Sequence, residues 1–414
     1  MKRRILMALV GLTLVLSLVL SVLPGCGGGA APTATTPGAT TPGKTTATPG
    51  KTTTAPTAPA KAGEVFNWRF QTGSTAGSAG YWAFAEFADD LKTASGGRIN
   101  LDIFPSGAII GSTEMFDGVM TGAVEVGGSL AMSNWSTKDL RFELMGQIAG
   151  GMTSLVHTCW QFGHTEDDRL SGGDKFRLVM EEKFPEIKIF AFNSAMRAPE
   201  AEYLAQKPLL KPADFVGLTF RGTGWSQLVA TEMGAKGIFV PSSDVYSALQ
   251  TGVMDAAELG TPYSNNLSGY MDICKYTGFP GIHKLSESSD LLVNRDSWNS
   301  LPADLQHIFY LCTLRHAISY GTQDWIQSAE LMASGKLVGK AIITYETPEM
   351  QNTWRTISWR LADEEAAKDP AFKTQWDIMR KFQIMMDTYV DLQTPDYGPD
   401  YEGAKEKIPG LLFQ

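Results

Sequence analysis

Two stretches far apart in this chain are built to one plan. Met115–Val126 and Val245–Ala256 each read as a short helix, a glycine terminator (Gly122, Gly252) and the start of a strand. Each belongs to a longer alternation. In the first half, Val65–Phe70 reads as a strand, and Phe84, Phe87, Ala88 and Leu91 fall at i, i+3, i+4 and i+7 of a helix. Gly96 and Gly97 stop that helix, and Ile99, Leu101 and Ile103 alternate with Asn100 and Asp102 up to Pro105. In the second half, Leu218 and Phe220 lead to Arg221 and Gly222. A helix follows with Trp225, Leu228, Val229 and Met233 on one face, then a strand Ile238–Val240 closed by Pro241. Ser242 or Ser243 is positioned to cap the next helix near Asp244. Strand–helix–strand is the unit of a mainly parallel sheet. Its occurrence in both halves predicts two similar lobes with a cleft between them.

The first 62 residues lie outside this pattern. Lys2, Arg3 and Arg4 precede an uncharged apolar run, Ile5–Leu23, which ends in Leu23-Pro24-Gly25-Cys26. A basic start, an apolar middle and a small residue before the cut mark an export signal. Cys26 at the cut, with Leu23 three residues before it, resembles a bacterial lipobox and makes Cys26 the candidate lipidation site. The alternative is an uncleaved membrane anchor, since the run approaches the length of a membrane-spanning helix. Residues 1–25 are read as the lipoprotein signal and 26–62 as a Thr/Pro-rich tether with little to bury. Both readings put the body outside the cytoplasm, held at the membrane.

About 350 residues remain, enough for two lobes. The chain carries a net charge of -9 with its lysines and arginines scattered, so no nucleic-acid partner is expected. Cys159, Cys274 and Cys312 are an odd set once Cys26 is lipidated, and they read as buried thiols, with a Cys159–Cys274 bridge left open. Beyond residue 296 the pattern is helical. Ser300-Leu301-Pro302 and Thr347-Pro348-Glu349 are helix starts, and the stretch from Phe372 to Leu392 carries an apolar stripe that either joins the core or packs on a second copy.

No catalytic signature is present, and the five histidines lack ligand spacing, so an enzyme is not expected. The informative constellation is Leu218–Trp225. Ligands of open α/β sheets bind beyond the carboxyl ends of strands. A guanidinium at Arg221 could there grip a carboxylate through two parallel hydrogen bonds. The competing reading is a surface arginine paired with an acid.

These residues carry a resemblance. Lys207-Pro208-Leu209 with Asp214–Arg221, Val245–Glu258, and Leu292–Trp298 with Ser300-Leu301-Pro302 resemble successive segments of the DctP family. Ser95–Arg98 and Phe104–Gly107 fit as well. Members of this family are the solute receptors of tripartite ATP-independent periplasmic (TRAP) transporters. Within it the chain is most similar to the alpha-keto-acid-binding branch. That branch carries "YYPGWHEPG" where this chain reads Phe279-Pro280-Gly281-Ile282-His283-Lys284, and two of its tryptophans are Leu259 and Ile282 here.

The resemblance implies an α/β, two-lobed, periplasmic-binding-protein-like fold (type II-like) with hinge, cleft and long C-terminal helices. Lobe 1 would span 63–187, completed by parts of 285–400, and lobe 2 would span 188–284. The helical region, 296–395, would pack on both. It further implies a receptor that closes on a small organic acid and delivers it to a sodium-coupled permease. Arg221 would clamp the carboxylate, with Arg197, His283, Trp225 and Tyr263 as further contacts. Glu258 and the Leu259 backbone would hold a sodium or divalent cation bridging to the ligand. Tyr81, Trp82 and Trp135 are further candidates for the wall. A homodimer fits the C-terminal stripe. The alternatives are a receptor of an ATP-driven importer or an extracytoplasmic hydrolase or lyase.

Overall fold

The computed structural model describes residues 63–393, except 130, 147, 165–167, 193–196 and 338. The expected signal, lipidation site and tether lie outside the described residues. So does everything beyond 393. Among the described residues no helix is long and apolar enough to cross a membrane.

In chain order the elements are β1 (Phe66–Thr72), α1 (Ala79–Ala94), β2 (Ile99–Phe104), α2 (Met115–Met120), β3 (Val126–Ser129), α3 (Ser154–Phe162), α4 (Gly172–Lys183) and β4 (Ile187–Phe192). Next come β5 (Ala201–Ala205), β6 (Thr219–Arg221), α5 (Gly224–Glu232), β7 (Lys236–Ile238), α6 (Ser242–Gln250), β8 (Ala256–Leu259), α7 (Pro262–Leu267), α8 (Tyr270–Ile273) and β9 (Tyr276–Phe279). The chain ends with β10 (Ser289–Asn294), α9 (Arg295–Ser300), α10 (Ala303–Ala333), β11 (Ile342–Tyr345), α11 (Pro348–Lys368) and α12 (Pro370–Gln393).

The strands form two sheets, ordered β2-β1-β3-β10-β4 and β11-β9-β5-β8-β6-β7. β1 pairs parallel with β2 and β3, and β6 pairs parallel with β7 and β8, as the repeated unit predicts. The two look-alike stretches become α2–β3 and α6–β8. Gly122 and Gly252 sit at φ 73° and 74°, a conformation that stops a helix and is strained for any side chain.

Several local expectations shift. β4 pairs antiparallel with β10 in the first sheet, so the lobe boundary expected at 187/188 falls at the start of a first-sheet strand. Leu228 is 45% exposed, and the buried face of α5 carries Trp225, Ser226, Val229 and Ala230 instead. The strand expected at Ile238–Val240 starts and ends two residues earlier, and Phe239 faces solvent. Pro241, not Ser242 or Ser243, occupies the cap of α6, and Pro302 that of α10, because each helix begins directly after its proline. Thr347 does cap α11, its side chain accepting from the Met350 amide. Cys159, Cys274 and Cys312 are free thiols, the first only half-buried.

Two helices tie the sheets together. α10 packs Leu305, Phe309 and Cys312 into the core of the first sheet, with Phe70, Phe84 and Phe87. Its far end places Leu331 in a second-sheet core with Leu204, Val245 and Ile343. At 31 residues it runs about 46 Å. α11 does the same: Met350 and Trp354 join Phe215 and Phe220, while Ala362 and Ala366 join Phe116, Phe142 and Trp376. On α12, Phe372, Trp376 and Met379 are core, but Ile384, Met385 and Tyr389 are exposed, so the C-terminal stripe is only partly buried.

Candidate ligand-binding site

The chain crosses between the sheets after β4 and again after β9, and α10 spans both. Charged side chains from all three passages are buried together. Arg197 follows the first crossing, and Glu200 and Glu202 precede or enter β5. Arg221 ends β6 and Glu258 lies in β8, side by side in a parallel pair. His283, Lys284 and Glu287 occupy the return crossing, and Asp324 projects from the middle of α10. All nine are buried. Charged residues are almost never fully buried unless paired, and each of these pairs with another member of the cluster.

Glu258 is the hub. Its Oε1 accepts from the Thr223 amide (2.7 Å), the Thr223 hydroxyl (2.8 Å), Ser226 Oγ (3.3 Å) and Arg221 Nη1 (3.3 Å). The Thr223 amide lies at the N-terminal end of α5, where a helix favours negative charge. Burial opposes ionisation of Glu258. Lys284, His283 and Arg221 overcome it and hold the carboxyl well below its ordinary value.

Arg221 is fixed by its backbone neighbours. Its Nε donates to the Val240 carbonyl (3.2 Å) and its Nη1 to the Glu258 carbonyl (2.8 Å). Nη2 makes no hydrogen bond among the described residues. The guanidinium is thus oriented by the sheet and keeps Nη2 for a further acceptor. Arg197 Nη1 lies 3.3 Å from both Glu200 and Glu287, and its Nε is 3.7 Å from Asp324. Burial disfavours its charge, but those acids raise its pKa above the ordinary value.

His283 stands between three carboxylates. Its Nδ1 is 2.9 Å from Glu202 Oε2, and its backbone N–H donates to the same oxygen. Its Nε2 is 3.6 Å from Glu200 and 3.5 Å from Glu258, without a hydrogen bond. Burial works against protonation, and Glu202, Glu200 and Glu258 raise its pKa well above 6.5. Lys284 Nζ completes the ring at 3.4 Å from Glu200, 3.7 Å from Glu258 and 3.5 Å from Glu287. Burial opposes ionisation of Glu200 as well, yet Lys284, His283 and Arg197 bring its carboxyl down to about 2.

Glycine makes the assembly possible. A Cβ on Gly281 would lie 1.9 Å from the Glu200 carbonyl oxygen. Only a residue without one lets the crossing that carries His283 and Lys284 approach the backbone at Glu200, just before β5, so closely.

Glu200, Glu258 and His283 each offer one donor atom, all within 4.8 Å of one another, the geometry of a small metal site. The Lys284 ammonium shares that space. The Leu259 carbonyl, expected as a metal ligand, accepts from Asn265 Nδ2 at 3.4 Å.

The structure therefore gathers Arg221, Arg197, Glu258 and His283. Trp225 is not in the cluster: its ring packs in the first-sheet core, 5.9 Å from Phe372. Tyr263 lies on α7, its amide donating to Ser328 Oγ at 3.4 Å, and burial raises the Tyr320 hydroxyl to about 12 against the opposing charge of Arg197. Trp82 is exposed with Tyr81 against it, and Trp135 is core, donating to Asp290 Oδ2 at 2.9 Å. An open groove of about 640 Å3 lies elsewhere, between α11 and α12. It is lined by Arg355 and Arg380 stacked on Trp359, a solvent-facing arrangement rather than a dry site.

Sequence reasoning missed Glu200, Glu202, Lys284, Glu287 and Asp324. Glu202 had a local signal, an acid within the otherwise apolar strand Ala201–Ala205, every residue of which is buried. Lys284 had another: it falls where the resembled segment carries a glutamate, reversing the sign of the charge.

Residues 180–369 match the family described as bacterial extracellular solute-binding protein, family 7 (DctP). A curated relative from Nostoc sp., a monocarboxylate 2-oxoacid-binding periplasmic protein, is 24% identical over 76% of this chain and 84% of its own length. A TRAP periplasmic solute-binding protein from Colwellia psychrerythraea, solved with calcium and pyruvate, superimposes with a TM-score of 0.72 at 22% identity, covering 80% of this chain and 97% of that one. One from Bordetella bronchiseptica, a dimer with calcium and picolinate in one active site, gives 0.70 at 23%, covering 80% and 95%.

Proposed function

We propose that this chain, a TRAP-type solute-binding protein of the DctP family, closes on a small organic acid outside the cytoplasm and hands it to a sodium-coupled membrane permease. The observation that carries the ligand class is Arg221: buried, ending β6, and held by Val240 and Glu258 with its Nη2 edge unbonded. A guanidinium fixed in this way meets a planar carboxylate with little further loss of freedom. Arg197, whose Nη2 also makes no hydrogen bond among the described residues, supports a second contact to the acid. His283 is the donor for a polar substituent next to the carboxylate.

Among organic acids we favour short 2-oxo monocarboxylates. The Nostoc relative's name and the pyruvate in the Colwellia protein support this choice. So does the buried, polar surrounding, which suits a ligand with little apolar surface. Trapping between two sheets joined by α10 and α11 excludes water from the ion pairs and strengthens them. Binding favours the closed arrangement only by its differential affinity for it. The lipid-anchored tether, proposed from residues 1–62, would keep the receptor within reach of its permease.

Calorimetry with pyruvate, other 2-oxo acids, hydroxy acids and dicarboxylates tests the reading. Saturable binding of one acid class by the parent chain is expected. Binding of none, or turnover of any, overturns it.

A further inference from the structure

The cation that accompanies the carboxylate in the Colwellia and Bordetella proteins does not fit this site. Hard cations such as sodium and calcium seek oxygen ligands in number, without a competing positive charge. Here the two carboxylates closest to a metal geometry, Glu200 and Glu258, are each within 3.7 Å of Lys284 Nζ. The third donor is an imidazole nitrogen, a poor partner for a hard cation, and its other nitrogen is bound to Glu202. Of the other acids, Glu287 lies 3.5 Å from Lys284 and 3.3 Å from Arg197, and Asp324 lies 3.7 Å from Arg197. A metal ion placed among these oxygens would sit beside a buried ammonium, where burial leaves the repulsion strong.

We propose that the Lys284 ammonium is itself the resident cation of this site, so that the receptor binds its acid without sodium or calcium. Lys284 is tethered, pairs with three carboxylates at 3.4 to 3.7 Å, and occupies the space an ion would need. The consequence is a receptor whose ligand affinity is indifferent to metal supply. This inference rests on the organic-acid reading above, and its test separates the two.

The experiment titrates pyruvate into metal-stripped protein in Tris with EDTA, then with 100 mM NaCl against choline chloride, then with 2 mM CaCl2. Affinities equal within about twofold are expected, because no ion is exchanged. A tenfold or greater gain with either cation overturns the proposal. In parallel, thermal melting without any ligand compares the parent and Lys284→Met, each with EDTA or CaCl2. The parent's transition should not move, whereas the variant, its carboxylates now without the ammonium, should be stabilised by calcium and should regain pyruvate affinity with it. A calcium-dependent rise in the parent, or Lys284→Met binding pyruvate in EDTA as tightly as the parent, refutes the role of Lys284. If Lys284→Met does not fold, the parent's titrations and melts still decide. If pyruvate binds under no condition, the choice of ligand falls, while the parent's melting response still decides for or against a metal site.

Discussion

At the scale of single residues, two buried groups lead to opposite expectations. Arg221 is a charge with ordered partners at Nε and Nη1 and, among the described residues, none at Nη2. Arg221→Lys keeps the charge but loses the planar fork. It should weaken acid binding about a hundredfold, roughly 3 kcal/mol, with an unchanged circular dichroism spectrum. Calorimetry measures it, and an affinity within threefold of the parent would rule out the clamp. Asp290 is an acid that burial pushes up to about 8, despite the hydrogen bond from Trp135. Its folded pKa lies above the ordinary 3.8, so the folded state holds the proton more tightly. The stability this contributes is complete below about pH 4 and is lost as pH rises towards about 8. Asparagine keeps an oxygen for Trp135 but cannot ionise. Asp290→Asn should therefore flatten the stability profile between pH 4 and 8 and exceed the parent at pH 8, by an amount on the order of a few kcal/mol. Denaturant melts at three pH values check this.

At the scale of elements, the periodic signals were legible and the end signals less so. The α1 stripe, the β2 alternation and the two glycine stops are local, and the structure has them. α5 turned by enough to expose Leu228 because its N-terminus is held by the Thr223–Glu258 contacts and Trp225 is drawn into the other sheet's core. No helical wheel contains those forces. The element on which the cluster most depends is the short crossing from Phe279 to Glu287. Gly281→Ala would place a methyl group against the Glu200 carbonyl, and backbone cannot yield as a flexible side chain can. We expect a loss of about 2 kcal/mol or more, from the cost of overpacking. Pyruvate affinity should fall with it, since Lys284 and Glu200 would part. Normal affinity in a folded Gly281→Ala protein would show that their spacing is irrelevant.

At the scale of the whole molecule, α10 and α11 are the members shared by both sheets, each contributing side chains to a core on either side. Any movement of one sheet against the other must bend or slide these helices, while the crossings at 197–200 and 280–288 absorb the change in backbone direction. A ligand that binds only the folded, closed form adds RT ln(1 + [L]/Kd), about 2.7 kcal/mol at a hundredfold excess over Kd. For a body of this size that is a rise in melting temperature of about 4 °C. Pyruvate should produce it in the parent and not in Arg221→Lys. Equal shifts in both would mean that the acid binds away from the cluster.

What the sequence determined by itself is the order and kind of the elements, because side-chain period, helix stops and turn residues act over a few positions. It also placed an arginine at the end of a strand, where such sheets receive ligands; the family resemblance added Glu258, which proves to be its neighbour, and His283, which lies beside that glutamate. Only the tertiary structure decided which charges meet. Lys284 reaches Glu200 and Glu258, and Arg197 reaches Glu287 and Asp324, across long separations in the chain. A lysine beside a histidine reads the same in sequence whether solvent or three carboxylates await it. Burial of charge depends on where the two sheets close, and that is set by packing between segments that carry no local record of one another.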